Sequence, residues 1–131
     1  METIKILLDT CTFLWAAAKP EALSTEAKQI LESPDTEIYL SLVSVWELLL
    51  KSSAKKLTFT EAPERWIPQQ RDKLRAIALP LDEAALFQES RLPLVHRDPF
   101  DRALICQAIT HGLTLLTPDP HIHRYPVPTR W

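Results

Sequence analysis

Four short stretches of this sequence carry acidic side chains where carboxylates can do chemistry. Asp9 follows directly on the apolar run at 4–8, and Glu47 closes Ser44-Val45-Trp46-Glu47. Asp98 and Asp101 bracket Pro99-Phe100, and Asp119 lies in Thr117-Pro118-Asp119-Pro120. Carboxylates gathered in one place repel each other, so such a group persists where cations neutralise it. An all-oxygen donor set suits Mg²⁺ or Mn²⁺. The chemistry that uses this arrangement is phosphoryl-ester hydrolysis, in which a metal activates water, steadies the departing oxygen and lets an acidic pocket accept an anionic backbone.

The elements around these residues alternate between strand and helix. Residues 4–8 read as a first strand, 37–40 as a second, 75–79 as a third and 113–116 as a fourth. Each is short, apolar and rich enough in β-branched or aliphatic side chains to prefer a strand. Helices are expected over 10–18, from the N-cap Ser24 to about 32, over 44–53, from the cap Asp82 to about 92, and from Asp98-Pro99 to His111-Gly112. Residues 60–74 are helical in composition, but Pro68 is expected to kink or split that helix. The stretch 118–128 holds four prolines and reads as an ordered extended arm outside the centre of the sheet. Strand–helix alternation builds a parallel sheet with helices on both faces. In such sheets ligands bind at the carboxyl ends of the strands. Asp9, Ser44, Glu47, Asp98, Asp101, Thr117 and Asp119 all fall at or just beyond those ends.

Composition bounds the answer. The chain has 131 residues, room for one domain, and is 46% hydrophobic and 24% charged, as soluble folded proteins are. Its only glycine, Gly112, excludes a dinucleotide fingerprint or a P-loop, each of which needs several glycines in one loop. A net charge of −2 supplies no long-range basic field, which disfavours a DNA-coating protein and leaves a metal-assisted nuclease open. Cys11 and Cys106 make no disulfide framework, and both fall in apolar helical patterns. Without a basic-then-apolar leader or an apolar run near ~20 residues, the expected compartment is the cytoplasm, with no membrane association.

Each acid also has a plainer use. Ser44-x-x-Glu47 matches a capping box, and Asp98-Pro99-Phe100-Asp101 is a good helix start with Asp98 at the cap. Asp119 between two prolines suits a turn. Asp9 is the hardest to explain as scaffolding, since a strand-end acid leading into a buried helix costs solvation without helping the core. His96, His121 and His123 lack a zinc-type spacing. His111 before Gly112 fits a helix C-terminus. Arg97 and Arg102 flank the acids, and structural pairing is the favoured use. Lys51, Lys55, Lys56, Arg71, Lys73 and Arg75 are basic surface that also suits an anionic backbone. Trp15, Trp46 and Trp66 read as core or subunit contacts, and Trp131 as needing a partner surface.

Leu7-Leu8-Asp9-Thr10, Ser44-Val45-Trp46-Glu47-Leu48, His96-Arg97-Asp98-Pro99-Phe100-Asp101-Arg102 and Leu116-Thr117-Pro118-Asp119 stand in the order and spacing of PIN-domain ribonucleases. They most resemble the VapC-type toxins of prokaryotic toxin–antitoxin pairs, over nearly the whole chain. The resemblance implies a single PIN domain over 1–131, a three-layer α/β/α fold with a central parallel sheet of about four to five strands. It also implies Mg²⁺- or Mn²⁺-dependent endonucleolytic cleavage of RNA by Asp9, Glu47, Asp101 and Asp119, supported by Ser44 and Thr117. The partners it implies are RNA, a cognate antitoxin laid across the acidic groove and a second copy in a homodimer. Two departures stand out: Cys11 where similar chains often have His, and Lys55-Lys56-Leu57 in place of Gly-Lys-Leu. Lysine resists the positive φ that glycine accepts, so the Lys55 loop is expected to differ in shape. Two competing readings remain. An aspartyl-phosphate phosphatase needs a second acid where Cys11 stands; a catalytically inactive PIN-like protein- or RNA-binding module would lose site acids, and none is lost.

Overall fold

The computed structural model describes residues 3–131. In chain order the strands are β1 (Ile4–Leu8), β2 (Thr36–Ser41), β3 (Ala76–Leu79), β4 (Thr114–Leu116) and β5 (Thr129–Arg130). The helices are α1 (Thr10–Ala18), α2 (Thr25–Glu32), α3 (Leu42–Ser53), α4 (Pro63–Lys73), α5 (Glu83–Phe87) and α6 (Pro99–His111). All pairings are parallel, and the strand order is β3-β2-β1-β4-β5. The chain winds outward from β1 in both directions, so the topological switch lies beside β1, where open sheets of this kind bind ligands.

Side-chain alternation along β1 explains the layers. Ile6 and Leu8 pack with Phe13, Ile30, Leu40 and Trp66 on one face, while Leu7 packs with Leu104, Ile105, Leu115, Ile122 and Tyr125 on the other. A strand segment buried on both faces must be apolar, and Ile6-Leu7-Leu8 is, while Lys5 lies on the exposed opening of the strand. The three-layer α/β/α architecture is thus that expected from the alternation of elements.

Several local expectations are changed by tertiary packing. α4 runs unbroken through Pro68, because buried Trp66 and Ile67 pin it to the core across the missing hydrogen bond. α3 begins at Leu42, and its cap is Ser41, whose Oγ accepts from the Val43 amide at 3.0 Å. Ser44 and Glu47 are therefore not a capping box. The helix expected from Asp82 to about residue 92 is cut to α5 and a 3-10 turn at Glu89–Arg91, although Asp82 caps as expected, accepting from Ala85 N. The proline-rich arm is ordered but not peripheral: a 3-10 turn at Ile122–Arg124 buries Ile122, Tyr125 is buried beside it, and the arm ends in edge strand β5. Trp131 needs no second molecule, since its ring lies 5.8 Å from that of Trp15.

Three helices end in the left-handed region, and only one of them has a glycine there. Gly112 follows α6 at φ 67°, whereas Lys55 after α3 and Arg75 after α4 both adopt φ 58°. Lys55 thus takes the glycine-type conformation itself. A side chain in this region costs roughly 1–2 kcal/mol, partly offset by the attraction of a cation to a helix C-terminus. Lys55→Gly and Arg75→Gly are each expected to stabilise the fold by about 0.5–1 kcal/mol, read as a higher urea midpoint with unchanged slope.

Candidate active site

β1 ends at the switch point, and the next residue is Asp9. Its amide donates to Leu116 O of β4 at 3.3 Å, which sets the acid between the two central strands. The residue is only 5% exposed, and its side chain makes no cap bond to α1. Thr117, immediately after β4 and fully buried, donates to Asp9 Oδ2 at 2.7 Å. Cys11 Sγ lies 3.4 Å from the same oxygen. Burial raises the Asp9 pKa above the usual carboxylate range against the lowering effect of these donors, and the charge of Asp119 adds to the rise. The Cys11 thiol is pushed up to about 12 by burial and by the Asp9 charge, so it is a thiol and not a thiolate.

Thr117 does a second job. Its Oγ1 accepts from the Asp119 amide at 3.1 Å, so one hydroxyl fixes both the Asp9 carboxylate and the turn that carries Asp119. Asp119 Oδ1 in turn accepts from His121 N at 2.8 Å, the turn bond that the flanking prolines suggest. Behind Asp9, Thr10 Oγ1 donates to the buried Ser44 Oγ at 2.8 Å, joining α1 to α3. Ser44 is thereby support for the site wall, not a helix cap.

Glu47 sits in the second turn of α3, 7% exposed. Its Oε2 is 2.9 Å from Lys51 Nζ, one helical turn on, while its Oε1 is buried with no partner among the described residues. A buried, unsatisfied carboxylate oxygen is costly unless something binds there. Asp98 caps α6, with Oδ1 accepting from both Phe100 N at 2.9 Å and Asp101 N at 3.2 Å. Asp101, in the first turn, contacts His96 Nε2 through Oδ2 at 3.1 Å. Burial pushes the Asp101 pKa up to about 7, with contributions from the charges of Asp9, Asp98 and Asp119.

The structure therefore brings Asp9, Asp98, Asp101 and Asp119 within electrostatic reach of one another, and Glu47 joins Asp98 on the wall of a groove of about 670 Å³ with Lys51, Lys56 and Phe100. Among the described residues no three His, Cys, Asp or Glu side chains close into a finished metal cage. Each acid is held by its own donor. The donors nevertheless fit a hard divalent ion: carboxylate oxygens from four segments, one of them orphaned. Arg102 takes no part in the acid cluster, for it pairs with Glu89 and with the Tyr125 hydroxyl. The sequence reading did not anticipate His96 as the partner of Asp101, nor Tyr125 beneath it. The adjacency of His96 to the Asp98–Asp101 stretch was the available signal; nothing local marks Tyr125.

The PIN domain family matches residues 6–128. The chain belongs to the PIN-domain family. One relative of this PIN domain is Ribonuclease VapC22 of Mycobacterium tuberculosis, 30% identical over 131 residues, covering 96% of this chain and 98% of that protein. Among solved structures, VapBC2 from Rickettsia felis bound to a DNA fragment from their promoter superposes with a TM-score of 0.76 at 17% identity, over 98% of this chain and 99% of that one. VapBC-5 from Mycobacterium tuberculosis, a member of the VapBC family of toxin–antitoxin systems, gives 0.58 at 18% identity, over 91% and 88%. These structural matches confirm the fold of the PIN domain.

The raised carboxylates have a thermodynamic consequence. Between the unfolded value near 3.8 and about 7, folded Asp101 keeps a proton that the unfolded chain has lost. Folding stability therefore falls as pH rises through that interval and levels off above it; Asp9 acts in the same direction. Urea unfolding of the metal-free protein is expected to show lower stability at pH 8 than at pH 5. Asp101→Asn should flatten that slope.

Proposed function

We propose that this chain, as a single PIN domain over residues 1–131, is a Mg²⁺- or Mn²⁺-dependent endoribonuclease and the toxin of a type II toxin–antitoxin pair. The observation that carries the reading is the buried Asp9–Thr117–Asp119 arrangement at the switch point, facing Asp101, with an orphaned Glu47 oxygen alongside. Such a set is destabilising in isolation and useful once a cation is bound. The likeness to a protein named Ribonuclease VapC22 over nearly the whole chain supports the choice of RNA.

In this reading Asp9, Glu47, Asp101 and Asp119 hold the ion. When bound, it supplies activation of the attacking water and stabilisation of charge on the departing oxygen of the phosphodiester. The protein groups do the rest. Thr117 holds Asp9 Oδ2 and so keeps this carboxylate in one orientation within the cluster. Lys51 holds Glu47 Oε2 and leaves Oε1. Lys51 and Lys56 on the groove wall draw the anionic backbone toward an otherwise acidic site.

The same reading assigns two protein partners. A cognate antitoxin covers the acidic groove, offering a basic side chain to the carboxylates. A second copy covers the apolar stripe Leu42, Trp46 and Leu50, spaced four residues apart on one face of α3 and 43%, 58% and 47% exposed. The edge-to-face contact of Trp46 with Phe100, at 5.0 Å, extends that stripe onto α6. Among the described residues no helix is long and apolar enough to cross a membrane.

Antitoxin-free protein is expected to cut cellular RNA at discrete positions with Mn²⁺ and not with chelator. Asp9→Asn and Asp101→Asn should lower the rate by about 10²-fold or more while the far-UV spectrum stays unchanged. Cuts that persist in both variants would reject the assignment. Trp46→Glu is expected to convert a dimer to a monomer in sedimentation, and an unchanged dimer would place the interface elsewhere.

A further inference from the structure

Beneath Asp101 lies a buried polar hub that none of the proposed chemistry uses. Its centre is the Tyr125 hydroxyl, on a residue 4% exposed. Four groups surround this oxygen: Arg102 Nη1 at 3.0 Å, the His96 amide nitrogen at 3.2 Å, His96 Nδ1 at 2.7 Å and the His96 carbonyl oxygen at 3.2 Å. Arg102 is itself fixed, with Nε on Glu89 Oε1 at 2.9 Å and Nη1 also on Pro93 O at 3.0 Å.

The donors and acceptors around the hydroxyl can be counted. A phenol oxygen has one proton to give and two lone pairs to receive with. The guanidinium and the His96 amide can only donate, and together they fill both lone pairs. A third donor has no place, so His96 Nδ1 cannot carry a hydrogen toward this oxygen. It can only accept, and the hydroxyl proton is shared between it, at the shortest of the four distances, and the His96 carbonyl oxygen. In the neutral ring the remaining hydrogen then sits on Nε2, which faces Asp101 Oδ2 at 3.1 Å. The ring is held flat by stacking on His121, with centroids 5.5 Å apart and planes 10° from parallel.

We infer that the Tyr125–Arg102 hub fixes His96 as the Nε2–H tautomer, making His96 a positioning residue that holds Asp101 Oδ2 and presents Oδ1 to the divalent cation. The second part rests on the metal-dependent reading above; the first does not. A carboxylate with one oxygen committed to a donor offers the other in a single orientation, and loss of such outer support typically costs 10- to 100-fold in metal affinity.

Two measurements separate the parts. Nitrogen-15 correlation spectra of the imidazole rings, in the metal-free full chain near pH 8, should show His96 with a protonated, pyrrole-type Nε2 and a pyridine-type Nδ1. Tyr125→Phe should mix the two tautomers. A protonated Nδ1 in the wild-type protein would overturn the inference outright, and it needs no variant that folds. Mn²⁺ calorimetry then tests the consequence. Glutamine can place an amide N–H where Nε2 stands and asparagine cannot, so His96→Gln should stay within about threefold of wild-type affinity and His96→Asn should lose about tenfold. Equal losses in the two variants would reject positioning through Nε2. Wild-type protein that binds no Mn²⁺ would sink the metal reading, while the ring spectra would still decide the tautomer.

Discussion

The structure turns on one buried carboxylate. Asp9 lies where β1 stops and α1 starts, almost without solvent, and its desolvation is what every neighbouring group answers. Thr117 gives it a hydroxyl, Cys11 gives it a weak thiol contact, and the Leu116 carbonyl takes its amide. A strand-end residue serving stability alone would be apolar there, as Leu8 before it is. Asp9 also dictates its surroundings, because an acid held at the switch point makes each further acid harder to ionise. Burial does most to raise the Asp101 pKa, and the Asp9 charge adds to that rise.

The scaffold's rigidity comes from side chains that tie the strand ends together behind that acid. Thr12 Oγ1 donates to Leu116 O at 2.8 Å, locking α1 to β4. The fully buried Gln107 of α6 accepts from Ser41 at the end of β2 and donates to Pro80 O just past β3, at 3.2 Å for the latter. One helix thus spans the carboxyl ends of two strands while its first turn carries Asp101. Small hydroxyl residues recur at these ends because they fill little volume and satisfy buried partners, where a larger apolar side chain would close the groove.

Much of this was legible in the sequence for physical reasons. Short aliphatic runs separated by capped helices determine a parallel α/β sheet, and the acids were legible because Asp9 and Asp119 follow such runs while Glu47 and Asp101 lie in the opening turns of helices. What sequence could not supply were features decided by distant partners. Ser41 displaces Ser44 as the α3 cap because Gln107 waits beside it. Pro68 stays inside a helix because Trp66 and Ile67 are already buried. The proline-rich arm reads as an extended connector, yet Ile122 and Tyr125 on it complete the second core. Tyr125 matters through its contacts to residues 96 and 102, a long-range relation with no local signature.

The spacing of the site along the chain has a bearing on its synthesis. Thr117 and Asp9 meet across 108 positions, and the arm that supports them ends in β5, against β4, at Thr129–Arg130. The first acid is thus made 108 residues before the hydroxyl that orients it. A growing chain lacking β4 has neither Thr117 nor Asp119, and β1 then has an empty flank. The acidic cluster is therefore a late product of folding, complete only once β4 is beside β1 and Thr117 has met Asp9.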